Sequence, residues 1–139
     1  MEIAVHPLHR QDEYGDSPMD RALRSGNAPI VDLLMFLDSH IDPHHDDPMI
    51  QAARQGDVAR VRECLEQGEE IELEDELGMR LVHWAAVIGS MDLLKLLINR
   101  GVDLNARMHA AGAMTPLQIV NRLEYTDLAE LLTRFGGLM

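Results

Sequence analysis

Three groups of residues in this chain have types and spacings that suggest chemistry. The first is His40, His44, His45, Asp46 and Asp47. A His-x3-His spacing beside two carboxylates resembles a zinc ligand set, since imidazole nitrogens and carboxylate oxygens are its usual donors. Here His40 ends a helical stretch and the others follow in a short connection, so the ligands do not share one helical face. The run reads as a polar loop, and no metal or other cofactor is expected. The second is Cys64, a nucleophile only as its thiolate. It falls on an apolar helical face with Val61 and Leu65 and has no evident cation to lower its pKa, so it reads as a small hydrophobe. The third is the carboxylates. They are numerous, but nothing sets two of them in contrasting environments as a general acid and base require. Neither a glycine-rich phosphate loop nor a Gly-x-Ser-x-Gly elbow occurs. No catalytic residue is expected, and the chain does not read as an enzyme.

The elements that would position these residues come from a phrase repeated four times. Its copies are Ser17-Pro18-Met19-Asp20-Arg21-Ala22, Asp47-Pro48-Met49-Ile50-Gln51-Ala52, Arg80-Leu81-Val82-His83-Trp84-Ala85 and Thr115-Pro116-Leu117-Gln118-Ile119-Val120. Their anchors, Pro18, Pro48, Leu81 and Pro116, are 30, 33 and 35 residues apart. A period near 33 residues marks a stacked solenoid of helical units. Ser17, Asp47 and Thr115 are N-caps, each followed by Pro at the first helical position. Gly26, Gly56 and Gly89 serve as turn residues. The outer helices are predicted at 28–38, 58–67, 91–99 and 126–135. Leu93, Leu94, Leu96, Leu97 and Ile98 make the third one apolar nearly all round, which requires neighbours on both sides.

The third unit carries the fullest signature: Asp75-Glu76-Leu77-Gly78, Leu81-Val82-His83-Trp84-Ala85-Ala86, Gly89, Leu93-Leu94-Lys95-Leu96-Leu97 and Gly101-Val102-Asp103-Leu104-Asn105-Ala106. This resembles the ankyrin repeat family over about residues 12–137. The resemblance implies an all-α solenoid of four helix-turn-helix units with projecting fingers, at about 12–41, 42–74, 75–106 and 107–137. It also implies a non-catalytic scaffold that binds proteins, with His83 bridging neighbouring fingers. Residues 1–11 lie outside the repeats and are expected to form a loosely packed arm before a 12–139 repeat domain. The units depart from the pattern at Arg80-Leu81, which replaces Thr-Pro, and at Glu124, which stands where a turn glycine is expected.

At 139 residues the chain has the size of one domain. Only 4% of it is aromatic, so the core must be aliphatic. A net charge of −12 disfavours nucleic acid and anionic membrane as partners and favours a basic protein surface. The single cysteine suits a reducing, cytoplasmic setting. Met1–Pro7 lacks the basic and long apolar regions of a secretory signal.

In this family the finger tips and the exposed ends of the inner helices line a concave face. The first two units offer polar residues there, among them Glu13, Tyr14, Asp16, Arg24, His44, Asp46 and Arg54. The last two offer Leu77, Met79, Val87, Ile88, Met114 and Leu123, apolar where the scaffold does not require it. These six are expected to form an exposed strip that grips a protein partner, since apolar patches of a few hundred Å² usually mark interfaces. Coverage by the long fourth finger and homo-oligomer formation are the competing readings. Beside the strip runs an acidic stretch, Glu63 to Glu76, with eight carboxylates and no base. Its finger residues Glu74, Asp75 and Glu76 are expected to flank the partner. An inhibitor or immunity protein that masks a basic enzyme or toxin is the alternative reading, and a self-associating structural unit the third.

Overall fold

The computed structural model describes residues 8, 15–40, 47–75, 77–108 and 113–136. Eight α-helices form four pairs: α1 (Pro18–Ser25) with α2 (Ala28–His40), α3 (Pro48–Gln55) with α4 (Val58–Glu66), α5 (Leu81–Ile88) with α6 (Met91–Asn99), and α7 (Pro116–Arg122) with α8 (Thr126–Arg134). The expected all-α repeat architecture is present.

The caps account for these boundaries. Ser17 Oγ accepts from the Asp20 N–H at 3.1 Å, and the Asp20 carboxylate accepts from the Ser17 N–H at 3.1 Å. Thr115 and Gln118 make the same reciprocal pair on α7. On α5, where Arg80 offers no hydroxyl, His83 Nδ1 accepts the Arg80 N–H at 3.0 Å. Each inner helix ends in a left-handed turn. Gly26, Gly56 and Gly89 adopt φ of 67°, 71° and 76° there, and Glu124 is forced to 63°. The fourth turn therefore keeps the repeat geometry at the expense of a backbone conformation that a side chain disfavours.

Inner helices α3, α5 and α7 pack in sequence, with outer helices α4, α6 and α8 in a second row. The first pair does not extend these rows. Among the described residues, α1 packs extensively only against α2. Met19, Ala22, Ile30, Leu33, Leu34 and Leu37 nonetheless belong to the same buried cluster as the stack. Leu8, from the expected loose arm, is fully buried in that cluster too. The long-range tie is Arg21, whose Nη1 donates to the carbonyls of Leu123 and Glu124, both at 3.3 Å. Helix α1 thus reaches the α7–α8 corner instead of adding to the near end of the solenoid.

The sequence shows why. The fifth residue of the repeated phrase is Trp84 in unit three and Ile119 in unit four, both fully buried. In unit one it is Arg21. A guanidinium is not buried against an apolar neighbour without acceptors, and the carbonyls at the end of α7 supply them.

Candidate functional site

Among the described residues, the finger before α5 holds a polar network centred on Asp75. Glu74 and Arg80 form an antiparallel bridge, and the Asp75 N–H donates to the Met79 carbonyl at 2.9 Å. Asp75 Oδ1 accepts the N–H groups of Leu77 at 2.9 Å and Met79 at 2.8 Å. Its Oδ2 accepts the Trp84 indole N–H at 2.8 Å and Arg54 Nη2 at 3.0 Å. The Arg54 guanidinium lies 4.5 Å above the Trp84 ring. Both side chains of the ion pair are 3% exposed. Arg54 and Asp75 were both expected on the partner-facing surface; they are instead a closed internal network that ties unit two to unit three.

The predicted apolar strip is corrected in the same way. Met79, Val87, Met114 and Leu123 are 0% exposed and belong to the core. Only Leu77 and Ile88 keep partial exposure. The cause at the α5–α7 end is visible. The Tyr125 hydroxyl donates to the Val87 carbonyl at 3.2 Å, and its ring lies where a Cβ on Gly89 would be, 2.5 Å away. The Arg21 guanidinium then stacks 4.6 Å from the centre of that ring. Residue types alone marked these positions as apolar without need, and could not show that the chain's own first helix pair joins them in one core. The tip of the fourth finger, residues 109–112, lies outside the described residues.

The acidic stretch divides by role. Glu72 accepts from Arg80 Nη1 at 3.3 Å and from the Asp103 N–H at 2.8 Å, so it braces its finger against the next unit. Glu66 lies 3.5 Å from Arg100. Glu63, Glu66, Glu69, Glu70 and Glu74 are exposed along the end of α4 and the finger. Glu76 lies outside the described residues, as do Glu13, Tyr14, His44, His45 and Asp46 of the polar fingers.

His83 is wholly buried. Its Nε2 donates to the Ala106 carbonyl at 2.7 Å, the tautomer required by the Arg80 N–H donating to Nδ1. Burial pushes its pKa below the usual 6.5, against the opposing pull of the Ala106 bond. A neutral, doubly bonded imidazole between fingers is a brace, as the repeat pattern implies. Trp84 is likewise core, and Cys64 is half-buried against it. The outer helices carry shallow grooves, one of about 410 Å³ lined by Val58, Ala59, Arg62, Asp92, Lys95, Leu96 and Asn99. It contains one carboxylate beside two cations, which is not an acid–base pair. Among the described residues, no helix is long and apolar enough to cross a membrane.

A family profile described as ankyrin repeats, in three copies, matches residues 49–136, the stack from α3 to α8. The palmitoyltransferase ZDHHC17 of Danio rerio is 29% identical over 106 residues, which is 71% of this chain and 16% of that protein. A putative ankyrin repeat protein of fowlpox virus, FPV240, is 31% identical over 64% of this chain and 23% of its own length. The chain therefore spans a minor part of these relatives. Among solved structures, a chain of the Bdellovibrio bacteriovorus complex of the predatory endopeptidase Bd0816 with immunity protein Bd3460 is similar. It shows a TM-score of 0.60 and 29% identity, over 67% of this chain and 48% of that one.

Proposed function

We propose that this chain, which belongs to the ankyrin-repeat family, is a non-catalytic module that binds a basic protein partner through the acidic ridge of α4 and the following finger. Ankyrin repeats are protein-interaction modules, so the class of function follows from the family; the ridge and the basic partner are the finer reading. The observation that carries it is the exposure of Glu63, Glu66, Glu69, Glu70 and Glu74 along the end of α4 and the following finger, with Arg100 beside Glu66 as a nearby cation, while Glu72 and Asp75 brace the fold. Exposed like charges this dense repel one another. A cationic surface relieves that repulsion and is steered toward it at low salt.

The test is crosslinking capture from native lysate with the full chain and with a variant carrying Gln at 63, 69, 70 and 74. A basic protein should be captured, with affinity falling at least about tenfold between about 50 and about 500 mM salt as the screening length shortens. The Gln variant should lose both the capture and the salt dependence. Equal capture by the two chains overturns the reading.

An inhibitor that masks a basic enzyme is the second reading. It is supported by the likeness to a chain from a complex that contains an immunity protein. A captured enzyme that keeps full activity when mixed with the chain would refute it.

A further inference from the structure

The chain has 24 acidic residues against 12 basic ones, yet one groove is cationic. Helices α6 and α8 pack against each other in the outer row, and a groove of about 280 Å³ lies between their C-terminal halves. Ile98, half-buried, and Leu131, buried, give it an apolar lining. Phe135 stands beside them with 54% of its surface exposed. Lys95, Asn99 and Arg134 complete the lining, which holds no carboxylate. Lys95, the sole lysine of the chain, and Arg134 are exposed, and among the described residues neither pairs with a carboxylate. Lys95 is also a wall of the neighbouring α4–α6 groove, which Arg62 lines. Arg62 and Lys95 are each the fifth residue of their helices, so the repeat itself sets these two cations in register.

The shape and the charge together define an occupant. A small ligand is held in a concavity that covers most of its surface, whereas this groove is shallow. Nucleic acid and anionic membrane present long arrays of negative charge, which a net charge of −12 repels. A short segment with a few carboxylates responds chiefly to charges within about 8–10 Å of it. We propose that the α6–α8 groove docks a short acidic, amphipathic segment of a partner protein. Its carboxylates meet Lys95 and Arg134, and its apolar side chain covers Phe135, Ile98 and Leu131. This rests on the chain being an interaction module, but it uses none of the acidic ridge residues.

The test is selection from a phage-displayed library of random short peptides on the full chain. The chain is held by an affinity tag, because amine coupling would consume Lys95. The selected peptides should include a family with Asp or Glu beside Leu, Ile, Phe or Trp. Labelled with fluorescein and followed by anisotropy, these should bind Lys95→Glu at least about tenfold more weakly than the wild type. Phe135→Ala should weaken them at least about fivefold, and Arg134→Gln should weaken them less than Lys95→Glu does. Arg60→Glu, a reversal at an exposed α4 arginine outside both grooves, should leave affinity within about twofold. If Lys95→Glu lowers the helical ellipticity of the chain, Lys95→Gln replaces it and should show a smaller loss of the same sign; no loss overturns the proposal. So does a selection without an acidic family, equal affinity for the wild-type and Lys95→Glu chains, or an equal loss in Arg60→Glu, which would make net charge the cause. A wild-type dimer that Lys95→Glu disperses in light scattering also overturns it, by making the acidic finger of a second copy the occupant. Selected basic peptides bear on the acidic ridge alone, so the two readings fail separately.

Discussion

Loss of the Asp75 carboxylate should damage the protein through stability, and the structure sets the size of the effect. Asp75→Ala takes the carboxylate away from a guanidinium at 3% exposure, an indole N–H and two backbone N–H groups, all of which point at the vacated oxygens. Removing one member of a buried ion pair costs about 3–5 kcal/mol. The orphaned neutral donors do not add in full, because they share the same acceptor. We therefore expect a loss of about 3–5 kcal/mol, a large part of the 5–15 kcal/mol typical of a domain. Arg54→Met removes the cation but leaves a carboxylate that still accepts three donors and an apolar stem over Trp84, so about 1–3 kcal/mol is expected. The diagnostic is the double variant. Deleting Arg54 from the Asp75→Ala background removes a buried charge that has lost its carboxylate, so the double variant should be more stable than Asp75→Ala alone. Urea unfolding followed by ellipticity at 222 nm, with Trp84 fluorescence as a second probe, measures all three. Trp84 is the sole tryptophan and sits within the network. If Asp75→Ala proves too unstable to purify, Asp75→Asn, which keeps one acceptor oxygen, serves in its place. A cost below about 1 kcal/mol for Asp75→Ala, or a double variant less stable than the single, would refute the reasoning.

Two further outcomes follow from the turn and the fingers. Glu124→Gly relieves a left-handed backbone worth about 1–2 kcal/mol and loosens the unfolded chain by about 0.5–1 kcal/mol, so a net gain of about 0.5–1 kcal/mol is expected in urea unfolding; a net loss would mean the Glu124 side chain matters more than its backbone. His83 is held neutral in the fold with its pKa below 6.5, so below pH 6.5 the unfolded chain takes up a proton that the folded chain refuses. Stability from this group is complete above pH 6.5 and declines on acidification toward the folded-state value, by at most about 1.4 kcal/mol per pH unit. His83→Gln, which can both donate to Ala106 and accept from Arg80, should reduce that slope between pH 7 and pH 5, and an unchanged slope would remove His83 from the acid response.

The repeats were legible because their cues are local. Pro at the first helical position, a hydroxyl or carboxylate cap before it and Gly at the turn act within a few residues. They place α6 at its predicted bounds, and α2, α4 and α8 within two residues of theirs. The brace role of His83 was legible for the same reason, since the repeat puts it beside the next finger. The network of Arg54, Asp75 and Trp84 was not. Its members are 21 and 9 residues apart, and each alone occupies a position where an exposed side chain would be ordinary. Only the shared carboxylate, which no periodicity reports, turns three unremarkable positions into one buried unit.

The placement of α1–α2 was illegible for a different reason: the solenoid pattern says that neighbours stack, and it says so for any unit that carries the phrase. Two signals in the chain qualify that rule. Arg21 and Gln51 occupy the position filled by Trp84 and Ile119 in the later units, so the interface between units one and two has polar groups where the others have apolar ones. Helix α2 buries Ile30, Leu33, Leu34 and Leu37 and packs Val31 and Phe36 against the core, which is more apolar surface than α1 alone can cover. An apolar helix pair that cannot stack on its neighbour and an apolar strip without a scaffold reason are complementary surfaces in one chain. The structure joins them in a single core. The strip expected to receive a partner is instead a site already filled, by apolar residues of the chain's own first helix pair.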